Sequence, residues 1–220
     1  MDRIDIESCS RRNAEDHIER YVFARKFVKG KKVLDIACGT GYGTQMMLEA
    51  GADVLGVDIS EDVIAENKQK YGDHFMVGDI VDFSHDTFDI IVCFETIEHV
   101  DDFRMALMNL HKLLKPCGTL IISSPNRRIT EPLIGKPTVD FHVREFTPDE
   151  LKRELTHRFT IKGCYAQRLQ PKIPCKLLRT LYGKIFRPQH NASPEVKEVG
   201  SKEGRYFILL TNSRAEPIIF

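Results

Sequence analysis

The chain has 220 residues, 42% hydrophobic and 29% charged, with 32 basic residues balancing 32 acidic ones. That length suits one domain with a sizeable core, and the neutral balance argues against a general nucleic-acid binder, which tends to be basic. No signal peptide opens the sequence and no apolar run approaches the roughly 18 residues of a membrane span, so a cytoplasmic protein is expected.

Residues 1–12 are polar. Over about 13–29 the positions of Ile18, Tyr21, Val22, Phe23 and Phe27 predict a helix ended near Gly30. Ahead of a first strand such a helix serves as a lid over a ligand or simply packs. Val33–Ala37 (VLDIA) reads as a buried parallel strand that breaks into a glycine-rich turn, with a helical pattern from Gln45 to Ala50. Asp53–Asp58 is a second strand, Ser60 a candidate N-cap for a helix from Glu61 to about Tyr71, and His74–Val77 a short third strand. The continuous apolar run Ile90–Phe94 predicts a strand covered on both faces. Asp101–Leu114 places Phe103, Leu107, Leu110 and Leu114 on one helical face and stops at Lys115-Pro116-Cys117-Gly118; Thr119–Ser123 is the fifth strand. Ser124–Asp140 holds three prolines and reads as a loop. Thr147 with Glu150 makes a capping box for a helix through about His157, and Phe159–Ala166 and Arg205–Thr211 supply the last strands. Strands alternating with helices predict an α/β fold, a doubly wound parallel sheet, in a single domain spanning 1–220. Six cysteines without any C-x-x-C pair read as buried free thiols.

The chemistry centres on Val33 to Gly43. Gly39 and Gly41 let the backbone turn sharply and approach a ligand, and the N–H groups of the following helix face the turn. Nineteen residues after Gly39 the second strand ends in Asp58, where a carboxylate can accept from ribose hydroxyls. A dinucleotide fingerprint wants G-x-G-x-x-G; here the spacing is G-x-G-x-G, with Thr44 in place of the third glycine. Asp35, four residues before Gly39, would repel a pyrophosphate but could pair with an ammonium group.

These segments, with GVDIS (56–60), GDI (78–80), FDIIVCFETIEHVDD (88–102), LLKPCGTLIISSPN (113–126) and HVREFTPDEL (142–151), resemble the class I S-adenosylmethionine (SAM) methyltransferases over roughly Asp16 to Phe159. The likeness is to the branch of ubiquinone-biosynthesis and sugar O-methyltransferases. Ala37 departs from it, standing where the motif's first glycine usually does. The resemblance implies a Rossmann-like, mostly parallel seven-stranded sheet with an antiparallel last strand. It implies SAM across the carboxyl ends of the strands: Asp35, Gly39, Thr40, Gly41 and Phe94 at the methionine end, Asp58 on the ribose, Ile59, Asp79 and Ile80 around adenine. Glu95-Thr96-Ile97-Glu98-His99 follows a strand directly. Two carboxylates and an imidazole there can hold a divalent cation, Mg²⁺ or Mn²⁺ by their oxygens or Zn²⁺ by the histidine. By the same resemblance His142 is a further candidate ligand. His99 and His142 are the candidates for activating an acceptor hydroxyl.

The expected reaction is therefore O-methylation of a small molecule or glycan. An NAD-type oxidoreductase is disfavoured by Thr44 and by the GDI segment, and small-RNA 3′ methylation by neutral charge. A SAM-fold subunit without turnover is the rival from another class. A basic insertion (about 168–203) includes a 174–187 stretch in which Leu177, Leu178, Leu181, Tyr182, Ile185 and Phe186 lie opposite Lys176, Arg179, Lys184 and Arg187. Such a helix can lie on an anionic membrane or a lipid-linked acceptor, making the protein peripheral there, or pack on the domain.

Overall fold

The aliphatic runs picked out above form the centre of the molecule. In the computed structural model, residues 10–130, 142–171, 193–199 and 202–214 are described. The predicted basic helix 174–187 lies outside the described residues. In chain order the elements are α1 (Arg11–Ala24), β1 (Lys32–Ile36), α2 (Tyr42–Glu49), β2 (Asp53–Asp58), α3 (Glu61–Tyr71), β3 (Phe75–Val77) and β4 (Phe88–Cys93). After a 3₁₀ turn (Ile97–His99) come α4 (Phe103–Leu113), β5 (Leu114–Pro125), α5 (Arg127–Thr130), α6 (Pro148–Thr156) and β6 (Phe159–Gln167). Three two-residue strands, β7 (Gln170–Pro171), β8 (Lys197–Glu198) and β9 (Lys202–Glu203), precede β10 (Tyr206–Ser213).

The main sheet runs β3-β2-β1-β4-β5-β10-β6-β8. The first five strands pair in parallel, and β10 is antiparallel to both β5 and β6. Seven strands were expected; β8, an edge strand from the basic insertion, adds an eighth. Strand order reverses between β1 and β4, and at such a point the crossovers leave a crevice beyond the strands' carboxyl ends.

Both faces of the sheet are covered, as a parallel sheet requires. Leu34, Ile36, Ile91, Cys93, Leu120 and Ile122 pack with Phe103, Leu107 and Leu110 of α4 and Leu151 and Leu155 of α6. On the other face Val33, Val54, Ile90, Val92 and Ile121 pack with Tyr21, Phe23 and Ala24 of α1 and Met47 of α2. The cysteines Cys38, Cys93, Cys117 and Cys164 are unbridged, the first two buried.

Several boundaries differ from the sequence reading. Ser10 caps α1 through the Asn13 N–H, and the helix ends at Ala24 rather than near Gly30 because Lys26 and Phe27 bond to carbonyls three residues back. The fifth strand starts at Leu114: Lys115–Gly118 forms an irregularity in the β4–β5 register, with Cys117 at φ 60°, instead of a loop. Ser60 occupies the cap position of α3 without a side-chain cap bond; the Asp58 carboxylate accepts the Ser60 N–H instead. The Thr147–Glu150 capping box forms as predicted.

The two sides of α4 supply a stability test. Leu110 is fully buried, whereas Met105 on the same helix is exposed. Leu110→Ala should lower the unfolding free energy by about 2–5 kcal/mol, and Met105→Ala by less than about 0.5 kcal/mol. Urea melts of the two variants check this.

Candidate functional site

The carboxyl edge at the β1–β4 reversal gathers most of the residues singled out by sequence. β1 leads into the turn, where Ala37 (φ 58°), Gly39 (φ 53°) and Gly41 (φ 74°) all take left-handed backbone. Ala37 thus adopts a conformation natural to glycine, which explains why its counterpart in the resembled motif is glycine. A side chain costs about 1–2 kcal/mol in that region. The turn is fixed by two buried polar groups. Asp58 at the end of β2 accepts from the Gly39 N–H at 3.0 Å and the Ser60 N–H at 3.1 Å. Asn67 of α3 donates to the Gly39 carbonyl at 2.7 Å. Sequence gave no sign of Asn67, because a polar residue on a surface helix carries no mark of its partner.

A Cβ on Gly39 would meet nothing within 4 Å, so the space above the turn is open. Ile59 follows Asp58 with 53% of its surface exposed, and Met76 and Val77 on β3 are also exposed, an apolar rim beside the β2 carboxylate. Asp79 turns its carboxylate to the Val81 N–H. Ile80 faces the core, packed with the α4 side of the sheet, and not the open edge where it was expected.

Asp35 lies beneath the turn. Val33 and Asp35 alternate with Leu34 and Ile36, so Asp35 points to the face covered by α1 and α2. There it is buried, and its oxygens accept from the Tyr21 hydroxyl at 3.1 Å and the Thr44 hydroxyl at 2.7 Å. Among the described residues the donors on Asp35 are the Tyr21 and Thr44 hydroxyls. Burial pushes the Asp35 carboxyl up to about 7, against the pull of the two hydrogen bonds. Tyr21 also stands edge-to-face against Tyr42 and Phe94, with ring centroids at 5.3 and 5.2 Å. It covers Gly43 so closely that a Cβ there would lie 2.1 Å from its ring. Thr44, noted in the sequence only as a missing glycine, is the hydroxyl that satisfies this carboxylate.

The second part of the site follows β4. Glu95 takes left-handed backbone (φ 49°), and its carboxylate accepts from the Ser123 hydroxyl at 2.6 Å. Glu98 turns inward and is fully buried, with no hydrogen bond of ordinary geometry to either carboxylate oxygen. Burial raises its pKa well above the carboxylate range, and the charge of Glu95 adds to this. His142 arrives from the segment before α6, which is held by the Arg144 N–H on the Glu98 carbonyl and the bridge between Asn126 and Phe146. The His99 and His142 rings meet edge-to-face at 4.8 Å, and one potential ligand atom from each of Glu98, His99 and His142 lies within 4.8 Å of the others. Glu95 does not join this cluster.

His142 Nδ1 is 2.7 Å from a carboxylate oxygen of buried Glu145, which also accepts from Thr130. Burial would raise the Glu145 pKa, but the His142 and Thr130 hydrogen bonds outweigh it and hold the group below its ordinary value. A carboxylate behind a histidine fixes the tautomer that leaves Nε2 for a metal. The donor set, one orphaned carboxylate and two imidazoles, fits a divalent cation. Glu145 was not singled out, because nothing in the HVREF segment marks its pairing with His142 and Thr130.

A methyltransferase domain family model matches residues 9–159. A ubiquinone biosynthesis O-methyltransferase of Coxiella burnetii (strain Dugway 5J108-111) is 38% identical over 115 residues, 49% of this chain and 49% of that protein. Another, from Idiomarina loihiensis, is 32% identical over 167 residues, 72% of this chain and 67% of that protein. The chain thus spans about half the length of the curated relatives it first matches. Among solved structures, the PH0226 protein from Pyrococcus horikoshii OT3 superposes with a TM-score of 0.64 at 20% identity, covering 96% of this chain and 94% of that one, which shows the shared fold.

The Asp35 geometry predicts a pH dependence. The folded carboxyl ionises near 7, whereas in the unfolded chain it does so near 3.9. The native state therefore holds the extra proton between those values, and stability falls as pH rises through that window. Asp35→Asn removes the titration. Relative to wild type, the variant should be more stable at pH 8 than at pH 5, measured as the change in urea midpoint difference between the two pH values. An unchanged difference would mean that the folded carboxyl ionises normally.

Proposed function

Because the chain belongs to the class I SAM-dependent methyltransferases, we propose that it transfers a methyl group from SAM to a hydroxyl of a small-molecule acceptor. The donor lies across the carboxyl edge at the β1–β4 reversal. Gly39, Thr40 and Gly41 line its methionine end beside Phe94, with the Asp35 charge beneath them. Asp58 accepts from the ribose hydroxyls, Ile59 packs on the adenine, and Asp79 accepts from its amino group. Ile80 supports this wall from the core side. The open space above Gly39 and the exposed apolar rim at Ile59 support that placement.

The observation that carries the O-methyl reading is the cluster of Glu98, His99 and His142. In-line transfer from a sulfonium needs alignment above all; a hydroxyl acceptor gains further from a cation that favours its alkoxide. Glu98, His99 and His142 would hold that cation, with Glu145 orienting His142. Two imidazoles and one carboxylate favour Zn²⁺ or another transition ion over Mg²⁺, which prefers all-oxygen sites. The ubiquinone biosynthesis O-methyltransferases among the relatives support a hydroxyl on a small aromatic acceptor more than a glycan. Lipid-surface attachment rests on the sequence of 174–187 alone.

Two measurements test this reading. Calorimetry with S-adenosylhomocysteine should show Asp58→Ala weakening binding by at least about 1.5 kcal/mol, the scale of hydrogen bonds to a charged group; equal affinity would overturn the ribose assignment. Chelator-treated enzyme should still bind S-adenosylhomocysteine but lose methyl transfer, with Zn²⁺ or Mg²⁺ restoring it. Full transfer without metal would leave His99 and His142 as general bases.

A further inference from the structure

Asn109 sits in the interior of α4, where asparagine is a poor helix former. It is half-buried, beside the buried apolar face carried by Ala106, Leu110 and Leu113. Its amide nitrogen donates to two main-chain carbonyls of another segment, Ile80 at 3.0 Å and Phe83 at 2.9 Å. Carbonyls only accept, so the group between them must be the NH₂, with one hydrogen for each. Ile80 and Phe83 both lie outside the strands, so no sheet ladder would take over these carbonyls if the side chain were lost.

Ile80 and Phe83 bracket the turn that follows β3. Within it the Asp79 carbonyl accepts the Asp82 N–H at 3.2 Å and the Phe83 N–H at 2.7 Å, and Asp79 Oδ1 accepts the Val81 N–H at 3.0 Å. Asp79 thus caps a single tight turn, and rotating that unit rotates its carboxylate. Ile80 and Phe83 anchor the turn in the core shared with α4. Phe83 also covers Gly78 so closely that a Cβ there would lie 2.3 Å from its ring, and the Gly78 N–H donates to the Asp58 carbonyl at 3.0 Å. Apolar burial is non-directional and sets the depth of the turn. The two directional bonds from Asn109 set its rotation.

Resting on the methyltransferase reading above, we infer that Asn109 is a positioning residue for recognition of the donor's adenine. By holding the Ile80 and Phe83 carbonyls it fixes the turn that aims Asp79 at the 6-amino group, and so makes the site select adenine over a purine without that group. Asn67 of α3 is its counterpart, holding the Gly39 carbonyl at the methionine end. The two asparagines control opposite ends of one ligand.

The test is calorimetric affinity for S-adenosylhomocysteine and for its analogue with hydrogen in place of the 6-amino group. Wild type should prefer S-adenosylhomocysteine by at least about tenfold, the scale of a hydrogen bond to a charged acceptor. Asn109→Asp keeps the shape but sets an acceptor against two carbonyls, and Asn109→Ala removes the group. Both variants should fold, Asn109 being half-buried, and both should reduce the preference to within about threefold. Asn67→Ala should weaken both ligands by the same factor and keep the wild-type preference. An equal loss of preference in Asn67→Ala would overturn the inference, since the preference would then report a loosened crevice alone. A wild-type preference that survives in folded Asn109 variants overturns it too, as does failure of both variants to fold, which would make Asn109 a requirement of the fold. Equal binding of the two ligands to wild type also overturns it, by removing Asp79 from the adenine, and leaves the methyltransferase reading intact. Failure of wild type to bind S-adenosylhomocysteine at all sinks that reading instead.

Discussion

A sheet covered by helices on both faces can present polar chemistry only where its strands end. In the central stretches of β1 (Val33, Leu34, Ile36), β4 (Ile90–Cys93) and β5 (Leu120–Ile122) the side chains are apolar and buried, and polar groups gather at Cys38, Glu95 and Ser123 toward the carboxyl edge. Asp35 breaks this rule from inside a central strand. A lone carboxylate there would be costly, so its position requires donors on the same face. Tyr21 and Thr44 supply them, one from α1 and the other from α2. The N-terminal helix is thereby tied to the glycine turn by a polar requirement as well as by packing.

That tie runs further along α1. Tyr21 serves the β1 side while its neighbour Arg20 reaches Gln167 and Tyr206 at the ends of β6 and β10. One turn earlier Asp16 receives Arg168 Nε at 2.7 Å, a buried pair at a residue with φ 52°. Removing one partner of such a pair leaves an uncompensated buried charge, which is far more damaging than the pair is stabilising. A single helix therefore ties the β1 side of the carboxyl edge to the antiparallel half of the sheet.

Sequence revealed the parts of this arrangement that obey local rules. The apolar runs marked β1, β2, β4 and β5, the Thr147–Glu150 box marked α6, and glycine spacing marked the turn, because each depends on residues a few positions apart. Glu98, His99 and His142 were identified as ligating types, and the structure brings these three together. What stayed hidden depends on partners distant in the chain. Thr44 looked like a missing glycine until Asp35 lay beside it, and neither Glu145 nor Arg20 was singled out before the structure placed His142 and Gln167 against them. Ile80 and Glu95 show the converse: residue type suited the site, but the turn after β3 places Ile80 in the core and Ser123 donates to the Glu95 carboxylate.

The cluster of Glu98, His99 and His142 is held in place by the main chain. The main chain holds the His142 segment through Arg144 on Glu98 and Phe146 beside Asn126, so its position does not depend on a bound ion. The lowered pKa of Glu145 keeps that carboxylate ionised, able to accept the His142 Nδ1–H and leave Nε2 as a lone pair. Glu98 is the opposite case, a carboxyl whose pKa burial raises. Cation binding would reverse this, since a ligating carboxylate must lose its proton. The two buried glutamates thus differ: hydrogen bonds from His142 and Thr130 hold Glu145 below its ordinary value, while burial raises Glu98.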